Sequence, residues 1–242
     1  MEDGRESTSG SMALNTFCIH AKNADSGAVV RDFVQRQGFE YSDSHPDFVL
    51  SVGGDGTYLQ AERRFPGIPK LLVRDSLICA KCEDEPLDTM LERMRSGDTR
   101  TRDIIKIEAI AHDRRLLAVN DIILRNEHPT QAIRFKLAID GQDADNNVIG
   151  DGIVAATPFG ATGYYRAVTR RRFDRGIGVA FNNPTEPKEP LILGDESKLS
   201  VELTRGNAQL TFDNDPSIAT VAQGDRVTIR KAAEVARLIV RA

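Results

Sequence analysis

No stretch of this 242-residue sequence runs apolar for the roughly 20 residues a membrane-spanning helix needs, and the amino terminus is polar rather than basic and then hydrophobic. These absences predict a cytoplasmic chain with no membrane partner. A basic excess is missing as well: 32 Lys and Arg stand against 36 Asp and Glu, a net charge of −4. Broad nucleic-acid surfaces work by releasing phosphate counterions and need a positive balance, so none is expected and any phosphate binding must be local. Cysteine is scarce and odd in number. Cys18, Cys79 and Cys82 cannot build a disulfide framework and fit a reducing compartment. The Cys79-Ala-Lys-Cys82 pair has no second CxxC to complete a tetrahedral zinc site, so ordinary thiols are expected and no metal ligand is assigned. No repeat of fixed period is present.

What is there is an ordinary folded composition, 40% apolar and 28% charged, long enough for two modest domains. Met1 to Ser11, rich in Gly, Ser and charge, reads as a flexible leader covering residues 1–12. Residues 13–100 read as an α/β domain. Thr16 to Ile19 is extended, Val29, Val30, Phe33 and Val34 recur at helical spacing, and Phe48 to Val52 is extended again. Ser26 can cap that helix and Gly38 can end it. A short helix to Arg64, a strand at Lys70 to Val73 and a helix across Leu87 to Met94, stopped near Gly97, follow. Strands alternating with helices imply a parallel sheet. From about Thr101 to the end the pattern becomes β-rich: Ile133, Phe135, Leu137 and Ile139 alternate with polar residues before an Asp140-Gly141 turn. Leu199, Val201 and Leu203 alternate likewise, and Val227 with Ile229 form a further short run.

The segment richest in chemistry is Ser51-Val-Gly-Gly-Asp-Gly-Thr57, just past a strand. Glycines let backbone N–H groups approach an anion closely, which makes Gly53, Gly54, Gly56 and Thr57 candidates for a phosphate cradle around Asp55. The letters match neither the Walker loop nor the dinucleotide GxGxxG spacing. On its own the segment is equally a glycine-rich turn after a strand. Asp121 and Asp151, taken singly, are equally strand-end carboxylates satisfied by backbone N–H groups.

Gly53-Gly54-Asp55-Gly56-Thr57 resembles the GGDGT signature of NAD kinases, lipid kinases and, more loosely, phosphofructokinases. Val119-Asn120-Asp121 resembles the NAD kinase Asn-Glu motif, and the segment from Gly150 to Tyr164, GDGIVAATPFGATGY, is similar to that family's "GDG…ATPTGSTAY" block in the same order. Glu189 to Leu193 and Leu210 to Asp213 fall where the family has comparable strands. The resemblance implies an α/β amino-terminal domain, a β-rich carboxyl-terminal domain and NAD bound in the cleft between them. It implies transfer of a phosphoryl group from ATP or polyphosphate, with donor-bound Mg²⁺, to the 2′-hydroxyl of the adenosine ribose of NAD. Asp55 would act on that hydroxyl, and Asn120, Asp121, Asp151, Thr162, Gly163 and Tyr164 would hold NAD. Homodimers or homotetramers are implied by the same likeness. A GGDGT-type lipid kinase and a non-catalytic NAD(P) sensor are the alternatives.

The residue types suit the chemistry. A ribose hydroxyl is a poor nucleophile at neutral pH, and a carboxylate in hydrogen-bond reach can take its proton. The transfer otherwise depends on positioning and charge neutralisation. Arg166, Arg170, Arg171, Arg172 and Arg175 form the densest basic run, read as a solvated face with donor binding as the other reading. The chain departs from the family pattern at Leu71 to Lys81, at Asp121 in place of glutamate and at Ala161 in place of serine.

Overall fold

The structure, a computed structural model, describes residues 14–75 and 85–242. The expected leader, both Cys79 and Cys82, and most of the divergent Leu71 to Lys81 segment lie outside the described residues. The chain divides into two units, Met1–Arg102 with Arg237–Ala242, and Asp103–Ala236.

The first unit is built on parallel strands. β1 (Thr16–Ala21), α1 (Ala24–Arg36), β2 (Glu40–Tyr41), β3 (Phe48–Gly53), α2 (Asp55–Arg64), β4 (Lys70–Arg74) and α3 (Leu87–Ser96) follow one another, and the strands lie in the order β2-β1-β3-β4. Each neighbouring pair is parallel. Parallel strands are covered on both faces, so β3 is buried at every position. On one face Phe48, Leu50 and Val52 pack with Phe17 and with α1 and α3 through Val34, Met90 and Leu91. On the other, Cys18 and Val49 meet Ala61 of α2. The helix after β1 leads back to β2 and the helix after β3 leads on to β4. The order therefore reverses between β1 and β3, and the crevice at the carboxyl ends of such strands is where ligands bind in open α/β sheets. The GGDGT segment sits at that end of β3.

Two details differ from the sequence reading. The cap of α1 is Asn23, whose backbone is extended and whose side chain accepts from the Asp25 amide at 2.8 Å; the helix starts early enough to put Ser26 inside its first turn. Gly38 ends it as expected, at φ 85°. The final residues, 237–242, were expected in the β-rich domain. They group with the first unit, where Leu238 pairs in parallel with Lys70.

Lys70 is fully buried and its ammonium is paired with Glu62 of α2. Glu62 also accepts from the Gly67 amide at 2.9 Å, which leaves this interior ion pair well coordinated. Cys18 is a buried free thiol, and that burial pushes its pKa up, as for a structural rather than a reactive cysteine.

The second unit is antiparallel throughout. One sheet takes the order β12 (Leu191–Leu193), β11 (Ile177–Asn182), β10 (Gly152–Ala156), β7 (Asp121–Asn126), β14 (Ala208–Phe212), β15 (Ala219–Val221). In another, β13 (Leu199–Arg205) lies between β8 (Ile133–Ile139) and the start of β16 (Arg226–Arg241), with β9 (Gln142–Gly150) beyond β8. The later residues of β5 (Thr99–Ala111) pair with β6 (Arg114–Ala118). Alternating side chains of these strands, among them Ile122, Leu124, Phe135, Leu137, Ile153 and Val201, close one dry core. β8 has the bounds its alternation predicts, and Asp140 and Gly141 take positive φ of 53° and 82° in the two-residue turn. A short helix, α4 (Tyr164–Thr169), covers the outer face of β10 and β11 through Tyr165, which packs with Val154, Ala156 and Ala180.

Candidate functional site

In the first unit, β3 ends at Gly53 and α2 begins at Asp55 with almost nothing between, so the backbone must turn within Gly53 and Gly54. A Cβ on Gly53 would lie 2.2 Å from the Thr57 hydroxyl oxygen, and only glycine fits there. Thr57 is buried and its hydroxyl accepts from the Gly54 amide at 3.4 Å, closing the turn upon itself. Gly53 and Thr57 thus shape the turn, whereas Gly54 and Asp55 are half-buried and Gly56 is exposed at the positive end of the helix. Backbone donors at such an end suit phosphate oxygens.

In the second unit the turn from β6 to β7 carries Asn120 and Asp121, and two other segments hold it from opposite sides. The Asp213 carboxylate accepts the backbone N–H of Val119 at 3.0 Å, of Asn120 at 2.7 Å and of Asp121 at 3.2 Å. Thr157, fully buried at the end of β10, donates its hydroxyl to the Val119 carbonyl at 2.5 Å and its amide to the Asn120 carbonyl at 2.9 Å. The same hydroxyl accepts the Gly160 amide at 3.0 Å. Gly160 is so close that a Cβ would lie 2.0 Å from the Asn120 carbonyl oxygen.

The backbone of this turn is therefore satisfied. The Asn120 side-chain oxygen is buried and has no hydrogen-bond partner among the described residues. The neighbouring Asp121 carboxyl is 5% exposed. Burial first, and the negative charge of Asp213 second, push its pKa up to about 7. Its open side looks toward Gly163, where a Cβ would stand 3.8 Å from the carboxyl oxygen. Buried polar groups are nearly always hydrogen-bonded, so the bare Asn120 oxygen beside a carboxyl of raised pKa marks a place for a ligand.

Thr162 closes a 3₁₀ turn with Gly160, Gly163 leads into α4, and Tyr164 is half-buried against the same apolar cluster as Tyr165; all three lie on the segment beside Asp121. Asp151 does not. In the β7–β10 ladder Asp121 stands opposite Ala156, whereas Asp151 lies past Gly152, which pairs with Arg125 at the far end. Five residues of strand put the two carboxylates roughly 17 Å apart. Asp151 is fixed there by the side-chain amides of Asn126 at 3.4 Å and Asn183 at 3.1 Å. Gly150 and Gly152 allow three strands to close around it, a Cβ on Gly152 falling 1.9 Å from the Leu124 carbonyl oxygen. A concavity of about 590 Å³ lined by His128, Arg134 and Arg205 lies at this end, away from Asn120 and Asp121. The five arginines of the basic run are all exposed, and Arg171 pairs with Glu189 at 2.8 Å.

Sequence reasoning gave no role to Thr157 and Asp213. Both lay inside quoted segments, and an aspartate closing a strand at Phe212-Asp213 is the signal that could have found the second. Among the described residues no group of three or more His, Cys, Asp or Glu is placed to hold a metal, and no helix is long and apolar enough to cross a membrane.

With this geometry in hand, comparison with known proteins is specific. A family profile described as ATP-NAD kinase C-terminal domain matches residues 119–241. The NAD kinase of Thermomicrobium roseum is 26% identical over 208 residues, covering 80% of this chain and 70% of its own length. Among solved structures, an NAD kinase from Archaeoglobus fulgidus in complex with ATP superposes with a TM-score of 0.79 at 19% identity, over 93% of this chain and 94% of that one. The yeast NADH kinase complexed with NADH gives 0.81 at 15% identity, over 95% and 84%. Both share the α/β and β-rich architecture.

Proposed function

Because the chain belongs to the ATP-NAD kinase family, we propose that it phosphorylates the 2′-hydroxyl of the adenosine ribose of NAD to give NADP, with magnesium-bound ATP as the donor substrate. The observation that carries the reading is the unpartnered buried side-chain oxygen of Asn120 beside the buried carboxyl of Asp121. A buried oxygen with no donor, beside a carboxyl that burial pushes up to about 7 and so leaves partly protonated at neutral pH, suits a nucleoside that offers both an N–H donor and acceptor atoms.

Asp55 takes the proton from the ribose hydroxyl as its oxygen bonds to the terminal phosphorus of the donor, and the bond from that phosphorus to the bridging oxygen breaks, releasing the diphosphate. The start of α2 meets phosphate oxygens around the exposed Gly56, while Gly53, Gly54 and Thr57 keep the turn in shape. Thr162, Gly163 and Tyr164 line the dinucleotide beside Asp121. Asp151 acts on another part of the dinucleotide than Asn120 and Asp121 do, given its place at the opposite end of β10. ATP is preferred over polyphosphate as the donor because the archaeal neighbour is an ATP complex. The test is NADP formation from NAD with Mg²⁺ and either ATP or polyphosphate. NADP with ATP supports the reading; NADP with polyphosphate alone overturns the donor assignment, and no NADP with either overturns the activity.

A further inference from the structure

We propose that Asp213 is the positioning residue for nucleotide binding, a built-in anion that locks the Val119–Asp121 turn so that Asn120 and Asp121 present their side chains to the substrate. The proposal rests on the NAD-binding reading of that turn. Its geometry is independent of that reading. Three successive backbone N–H groups, from Val119, Asn120 and Asp121, converge on one carboxylate at 2.7 to 3.2 Å. Consecutive amides aimed at one point form an anion-binding concavity of the sort that usually receives a phosphate or another ligand anion. Here the protein fills it with its own side chain, from a residue 92 to 94 positions along the chain.

Asp213 is itself held for the task. It sits at φ 47°, a left-handed conformation that aspartate tolerates better than most residues, and its amide donates to the Asp121 carbonyl at 2.9 Å. The two segments are thus tied in both directions. Because the Asn120 side-chain oxygen finds no hydrogen-bond partner among the described residues, the backbone of the turn does much to set where it points. Thr157 holds that backbone by the Val119 and Asn120 carbonyls, with Gly160 packed close against the latter, and the Asp213 carboxylate gathers its amides. The negative charge of Asp213 also disfavours a second charge on Asp121, which keeps that carboxyl able to donate as well as accept.

The experiment uses the full chain with Asp213→Ala and Asp213→Asn, and reads KM for NAD, kcat, thermal unfolding and the exchange rates of the Val119, Asn120 and Asp121 amides without substrate. Asp213→Ala should raise KM for NAD about 10- to 100-fold, the mark of lost uniform binding, with kcat within about threefold of wild type. Asp213→Asn keeps one acceptor oxygen and should fall between the two. An unchanged KM, a loss confined to kcat, or an Asn variant as impaired as the Ala variant would overturn the assignment. If the Ala variant does not fold, the Asn variant decides: it must raise KM while unfolding near the wild-type temperature. Wild-type protein that makes no NADP refutes the kinase reading and not this one, which the amide exchange then settles. Faster exchange of the three amides in the variants supports the lock, and unchanged exchange overturns it.

Discussion

Replacing Asp121 by asparagine should make the protein more stable at neutral pH, and the gain should depend on pH in a defined direction. The substitution keeps shape and volume and removes the titration. In the folded protein the Asp121 carboxyl holds its proton up to about pH 7, whereas an aspartate in the unfolded chain gives it up near 3.8. Between those values the folded state binds more protons than the unfolded one, so stability falls as pH rises from about 4 to about 7 and is level beyond. The interval spans about three pH units at 1.36 kcal/mol each, which sets a ceiling on the order of 4 kcal/mol. In a chain of this size that corresponds to roughly 10 °C in Tm. Paired thermal melts of wild type and Asp121→Asn at pH 4, 5, 6, 7 and 8 test this directly. The two curves should nearly coincide at pH 4 and diverge to a full difference at pH 7, with the variant higher. A difference that is constant across the range would refute the argument, since Asp121 would then not be the titrating group. The same variant should bind NAD more weakly, the mark of a side chain kept for its ligand rather than for the fold.

Gly160→Ala would drive a methyl group to 2.0 Å from the Asn120 carbonyl oxygen. It should cost about 1–3 kcal/mol or more through backbone displacement, and a Tm equal to that of wild type would show that the turn is not packed as described. Glu62→Gln leaves the fully buried Lys70 ammonium without its carboxylate. The loss should be about 3–5 kcal/mol, read from chemical denaturation; a loss below about 1 kcal/mol would mean that the pair is solvated.

Much of the fold could be read from local pattern because local pattern determined it. β8 alternates strictly and has a turn-forming Asp140-Gly141 behind it, and α3 stops at Gly97, whose φ of 76° needs a glycine. What escaped was set elsewhere in the chain. The last residues look like any other strand, and only their pairing with Lys70 assigns them to the first unit. α4 has six residues, too few for a helical period to emerge. The site divides in the same way. Asn120 and Asp121 were legible as a motif, but the Asp213 carboxylate that gathers their amides comes from more than 90 residues away. Asp151 stood close to Thr162 in sequence, yet β10 carries it to the other end of the sheet.

The proposed role of Asp55 as the base for phosphoryl transfer to NAD is open to test by Asp55→Asn. The asparagine keeps the size and the hydrogen-bonding capacity at the start of α2 but cannot accept the ribose proton. NADP formation should be followed on the variant together with its thermal unfolding and a direct NAD titration. Tm and NAD affinity should be unchanged and kcat lower by roughly 10²- to 10⁴-fold, the range for a lost general base. A kcat within a few-fold of wild type in a folded, NAD-binding variant would contradict it.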